Sequence, residues 1–314
     1  MKPAPPYARF VKLGLCCLLL GSLASGCQID TGNPLSSATP VTSQSATKTS
    51  STPASRSVET TEPSAATPAT PGCDELAGSL REESLDSTLL KENLDFKVYL
   101  PPCYDLDQKQ RFSVLYMLHG QTSLNDQWVR LGLLSAMDDL LEQGLIDPFI
   151  IVMPSETRSN VDAYDSEFGQ VLVDELIPFM DQHFRTCNER QCRAIGGLSR
   201  GGNWAIHLAF ERPDLFTAVG AHSAPLFYGE ITTVRYAVSE EESSSALPVF
   251  YVDVGNKDED FVDVRQFVAA LQEYHNVEYE FNSFLGYHDE AYWSAHVQDY
   301  LLWYDRQLQP PFDQ

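Results

Sequence analysis

Basic residues are scarce in this chain of 314 residues: 21 Lys and Arg stand against 44 Asp and Glu, a formal charge of −23 at pH 7. A field of that sign repels phosphate backbones and anionic headgroups, so no nucleic-acid partner is expected. A comfortable membrane span is also missing from the amino-terminal region, because the apolar run "LGLCCLLLGSLA" falls short of the ~20 residues a bilayer requires. The cysteines show no CxxC spacing and no histidine cluster beside them, so no metal site is expected. Nothing calls for a cofactor, and no internal repeat is visible.

What is present begins with Lys2, Arg9 and Lys12 ahead of that apolar run, followed by "LASGC" ending at Cys27. This is the layout of a secretory signal over residues 1–26. "LASGC" also resembles a bacterial lipobox, with Ala24 where Leu is commoner, so Cys27 is the expected lipidation site. Cys16 and Cys17 leave with the signal, and loss of three basic residues takes the charge to about −26. Residues 27–72 are Ser, Thr, Pro and Ala with hardly a large apolar side chain, too little to offset the entropy of ordering. They are expected to form a disordered tether, ~35–40 Å between its ends for about 45 residues. The expected location is the bacterial cell envelope, with membrane contact through the lipid anchor only.

Four cysteines remain, Cys73, Cys103, Cys187 and Cys192. An even count in an exported chain indicates disulfides in one of three connectivities. "CNERQC" closes a short loop, which favours Cys187 with Cys192 and leaves Cys73 with Cys103.

From residue 73 to 314 the pattern is that of one α/β domain. "FSVLYMLHG", "PFIIVMP", "CRAIGG", "FTAVGAH", "PVFYVDVG" and "VEYEFNSF" are expected strands, alternating with helical stretches near 124–143, 168–185, 201–212, 260–274 and 290–307. The result is a mostly parallel sheet with helices on both faces. "LDFKVYLPP" is an earlier strand, expected at an antiparallel edge. In such a sheet the site collects beyond the carboxyl ends of the strands, in loops starting at His119, Pro154, Ser199, His222, Gly255 and Gly286.

One of those loops carries G-x-S-x-G: "GLSRG", residues 197–201, follows a strand and precedes a helix. Glycines flanking Ser199 allow the strained, closely packed turn of a nucleophile elbow. A serine hydroxyl needs a histidine to take its proton and an acid to orient that histidine, in the order Ser, acid, His. Five histidines follow Ser199. His207, His275 and His296 fall within or at the ends of helices, whereas His288 lies in the loop after the last strand and is the expected base. Of the acids in "YVDVGNKDED", Asp253 should face a side of the sheet, while Asp258 can reach the histidine; Asp260 is the reserve. Two backbone N–H groups should receive the oxyanion, from Arg200 and from Gln121 in "LHGQTS", with Thr122 the alternative second donor. His222, Tyr287 and Trp293 are the candidate pocket residues. Of Tyr287, Tyr292 and Trp293, at least one should anchor the final helix.

Taken together, "VYLPPCYD", "RFSVLYMLHG", "DELIPFMDQHFRT", "RAIGGLSRGG" with "ERPDLF", "VDVGNKD" and "GYHDEAYW" resemble the esterase family that includes esterase D (S-formylglutathione hydrolase), feruloyl esterase modules, enterochelin esterases and mycolyltransferases. They occur in family order from about residue 94 to 305. The resemblance implies an α/β-hydrolase fold without a large cap domain and assigns Ser199, Asp258 and His288 to the triad. Arg200 stands where many members have Met; its side chain is expected either to meet an anionic substrate group or, in so acidic a protein, to pair with a nearby carboxylate. The activity expected is serine-dependent ester hydrolysis on small-molecule or polysaccharide-linked esters. Acyl transfer to a sugar or lipid acceptor, and a non-catalytic binding lipoprotein, are the alternatives.

Overall fold

Six-residue runs that are apolar on both faces need cover on both sides, and this requirement organises the domain. In the computed structural model, which describes residues 73–239, 247–273 and 277–309, β3 (Ser113–Leu118), β4 (Phe149–Pro154) and β5 (Arg193–Leu198) are buried at every position, as is β6 (Ala218–His222). They form the middle of an eight-stranded sheet with β1 (Ser79–Ser87), β2 (Glu92–Leu100), β7 (Val249–Gly255) and β8 (Tyr279–Phe284), ordered β1-β2-β4-β3-β5-β6-β7-β8. From β4 across to β8 every pairing is parallel; β1 with β2 and β2 with β4 are antiparallel.

The helices are α1 (Gln127–Arg130), α2 (Leu133–Glu142), α3 (Phe168–Val171), α4 (Ile177–His183), α5 (Arg200–Glu211), α6 (Ile231–Ser239), α7 (Phe261–Gln272) and α8 (Glu290–Gln307). A π-helical segment, Leu172–Leu176, joins α3 to α4. Alternate strand residues feed two cores. Val114, Tyr116 and Leu118 pack with residues of α3 to α7, while Leu115 and Met117 pack with Trp128, Met137 and the inward face of α8. Among the described residues no helix is long and apolar enough to cross a membrane.

Two elements depart from the sequence expectation. "LDFKVYLPP" is not the edge: β2 lies between β4 and β1, and β1, "SLREESLDS", takes the edge. Its side chains mostly face solvent and four of the nine are charged, which conceals strand periodicity while making a soluble edge. Helix α6 was also not anticipated, since it buries only Val234 and Val238. Both expected cysteine pairs are bonded, with Cα separations of 5.7 Å for Cys73–Cys103 and 5.8 Å for Cys187–Cys192. Cys27, the signal and the tether lie outside the described residues, as does His275.

Candidate active site

The last strand residue, Leu198, is followed by Ser199 at φ 51°, ψ −122°, and α5 begins at once with Arg200. A non-glycine residue at positive φ is strained, and the crossing that enforces it is tight. A Cβ on Gly197 would come within 2.5 Å of the Gly201 carbonyl carbon and 2.7 Å of the Leu118 oxygen. The elbow is therefore a packing solution that only small residues permit. Ser199 N–H donates to the His222 carbonyl at 2.8 Å, and its own carbonyl accepts from Asn203 N–H at 3.0 Å.

His288 reaches this serine from the loop between β8 and α8. The Ser199 hydroxyl donates to His288 Nε2 at 3.0 Å, and His288 Nδ1–H faces both oxygens of Asp258, at 3.0 and 3.1 Å. The two loops are locked together, Lys257 N–H donating to the Gly286 carbonyl at 2.9 Å. Asp289 caps α8 by accepting from Tyr292 N–H, fixing the chain just after the histidine.

The electrostatics suit a base paired with an anion. Burial by itself would lower the basicity of His288, but the hydrogen bond it donates to Asp258 and the charges of Asp258, Asp260 and Glu259 raise it above the ordinary histidine value. Burial pulls Asp258 upward, yet His288 and the Asp260 N–H hold it below the usual carboxylate range. Asp260, 3.5 Å from His288 Nδ1, is pushed up by burial and by neighbouring carboxylates, against the attraction of His288. Asp258, Asp260 and His288 are also the group of potential metal ligands found among the described residues, with donor atoms within 4.8 Å of one another. Here His288 and Asp258 already bond to each other as base and acid.

The expected oxyanion donors lie on either side of the serine. Arg200 is the first residue of α5, where backbone N–H groups have no intrahelical partner. On the other side, a Cβ added to Gly120 would sit 3.7 Å from Ser199 Cβ, so the loop carrying Gln121 abuts Ser199. The Arg200 side chain meets a carboxylate, as the acidic composition suggested: Glu156 takes its Nε and Nη2 at 2.7 and 2.6 Å.

Two of the expected pocket residues are elsewhere. His222 has no exposed surface; its Nδ1–H donates to Asp253 Oδ1 at 2.7 Å, Tyr304 hydroxyl lies 3.2 Å from Nε2, and the ring stacks on Tyr300 at 3.7 Å. A strand's side chains alternate between faces, and this one turns under α8, leaving only its carbonyl to the elbow. Trp293 is 4% exposed and stands edge-on behind the His288 ring, 5.1 Å between centroids, so it supports the base without lining a pocket. Tyr287 is exposed beside Lys257 at the rim. Tyr292 is the helix anchor, donating its hydroxyl to Asp253 Oδ2 at 2.7 Å. Asp253 faces the sheet side as expected, where Tyr300 also donates to it at 2.9 Å.

Sequence reasoning placed His119 and Pro154 at the starts of site loops but assigned no task to His119 and missed Glu156 as the partner of Arg200. Both lie just beyond the ends of β3 and β4, and that position was the available signal.

Known proteins share this fold. A family model described as "Putative esterase" matches residues 87–304. A curated endo-1,4-beta-xylanase/feruloyl esterase of Xylanibacter ruminicola is 31% identical over 173 residues, 51% of this chain and 22% of the relative, so the alignment spans about a fifth of that protein. A solved ferulic acid esterase superposes with a TM-score of 0.68 at 25% identity, covering 74% of this chain and 99% of the other. S-formylglutathione hydrolase from Staphylococcus aureus superposes at 0.59 with 21% identity, covering 72% and 97%, and speaks for the fold alone. With an α/β-hydrolase sheet, a nucleophile elbow and a family match across 218 consecutive residues, the chain belongs to this esterase family.

Proposed function

We propose that the protein is a carboxylic ester hydrolase working through an acyl-enzyme on Ser199. The observation that carries this reading is the unbroken line Ser199 Oγ, His288 Nε2, His288 Nδ1, Asp258, each contact at 3.0–3.1 Å. Ser199 Oγ attacks the ester carbonyl as His288 accepts its proton. The tetrahedral oxyanion is held by the Arg200 and Gln121 N–H groups. On collapse, the alcohol leaves with the proton returned by His288. Water, deprotonated by the same histidine, then attacks the acyl-enzyme, and on collapse Ser199 Oγ leaves, taking that proton back from His288 as the acid is freed.

The substrate class proposed is a carbohydrate- or aryl-linked ester met outside the cell membrane. Its support is the likeness to a feruloyl esterase relative, together with two disulfides of the kind that persist in oxidising compartments. Lipid attachment at Cys27 belongs to the same reading. Substituting Ser199→Ala should abolish hydrolysis of p-nitrophenyl acetate and labelling by a fluorophosphonate while leaving the circular dichroism spectrum unchanged. Hydrolysis at the wild-type rate would sink the assignment.

A further inference from the structure

The mechanism uses the backbone of Arg200 and gives its side chain no task. We propose that Arg200 and Glu156 form a positioning pair that sets the oxyanion hole, an inference resting on the serine-hydrolase reading. The guanidinium is buried and held by three bonds: two to Glu156, and a third from Nη2 to the Val161 carbonyl at 2.9 Å. A two-pronged pairing with a carboxylate fixes orientation as well as distance. Because Arg200 directly follows the nucleophile, restraining its side chain restrains the first turn of α5 and the N–H aimed at the oxyanion.

The other end of the pair reaches the second donor. Glu156 N–H donates to His119 Nε2 at 2.8 Å, which leaves His119 Nδ1 to carry the proton and donate to the Gly120 carbonyl at 2.7 Å. Burial lowers the basicity of His119, favouring the neutral ring that this two-way bonding requires. Ser159 Oγ donates to the Gln121 carbonyl. Residues 155–161, the segment leaving β4, thus hold the loop with one oxyanion donor through His119 and Ser159, and the elbow with the other donor through Glu156 and Val161.

Two other tasks for the arginine fit less well. An anionic substrate group would find the charge already met by Glu156, whose side chain is 4% exposed. Stability alone is a poor reason for the pair, since apolar residues of similar volume commonly do as well as a buried ion pair.

The test compares wild type, Glu156→Gln and Ser159→Ala, with active sites counted by fluorophosphonate and rates measured on p-nitrophenyl acetate. Binding of phenylboronic acid, whose adduct on Ser199 places an oxygen in the oxyanion hole, is measured alongside. Glu156→Gln should lower kcat per active site by about 10- to 100-fold, with KM within about twofold and boronate affinity reduced by a similar factor. Ser159→Ala, at the partly exposed end of the bracket, should lower kcat about three- to tenfold in the same manner. A kcat per active site within about twofold of wild type in the folded variants, or a change confined to KM, would overturn the proposal. Should Glu156→Gln fail to fold, Ser159→Ala decides by the same criterion. A wild-type protein that neither hydrolyses the ester nor takes the label would instead refute the hydrolase reading.

Discussion

Replacing Asp258 by Asn removes the carboxylate that orients His288, and in a triad of this geometry the resulting wrong tautomer costs about 10⁴ in kcat. Here a second carboxylate softens that loss. Asp260 Oδ2 stands 3.5 Å from His288 Nδ1, with its side chain 28% exposed. At that distance the attraction between full charges runs from about 1 kcal/mol in water to about 5 kcal/mol near a protein surface. Partial exposure favours the lower part of that range, about 1–2 kcal/mol, or about fivefold to thirtyfold in rate. Asp258→Asn should therefore lose about 300- to 2,000-fold, and the double variant with Asp260→Asn about 10⁴. The same charges raise the His288 basicity, so their removal should move the acidic limb of the rate profile to lower pH, because the neutral imidazole then persists further into acid. The assay is kcat for p-nitrophenyl acetate between pH 4 and 9, normalised to sites counted by active-site titration. If Asp258→Asn is as slow as the double variant, Asp260 contributes nothing and the reasoning fails.

Two further expectations concern stability. His207, bonded to the buried Glu230 at 2.6 Å, has its pKa raised to about 9, as hydrogen bonds and charges from Glu211 and Glu230 overcome burial. Because the folded value exceeds the unfolded one, its contribution is full below about pH 6.5 and disappears as pH rises through about 9. His207→Gln should thus cost about 2–3 kcal/mol in urea unfolding at pH 7 and little at pH 10; an equal cost at both would refute the assignment. Loop length ranks the disulfides: with separations of 30 and 5 residues, removing Cys73–Cys103 should cost about 3–4 kcal/mol and removing Cys187–Cys192 about 2 kcal/mol. Thermal unfolding of the paired Cys→Ala variants checks this, and the reverse order would show that chain entropy does not control these bonds.

The inner strands and the meeting of Ser199, His288 and Asp258 were legible because their signals are local. An apolar run such as "FIIVMP" has one stable placement, covered on both faces, and "GLSRG" between such a run and a helix dictates a turn too tight for larger residues. Chain order then separated His288 from the helical histidines, and strand alternation separated Asp258 from Asp253. The edge strand β1 stayed hidden, because a strand facing mostly solvent carries no apolar alternation and acquires its identity only by pairing with β2.

Sequence alone thus determined the fold class and pointed to Ser199, Asp258 and His288, which the fold brings into contact, since each depends on spacing along the chain. Tertiary structure decided the questions that depend on direction. It turned His222 into the core with Asp253 and the tyrosines of α8, placed Trp293 behind His288, and brought Glu156 from just beyond β4 onto Arg200. Residues 44 positions apart meet there because parallel strands carry their carboxyl ends to one edge of the sheet, and no local pattern in the chain encodes which side chains face each other across it.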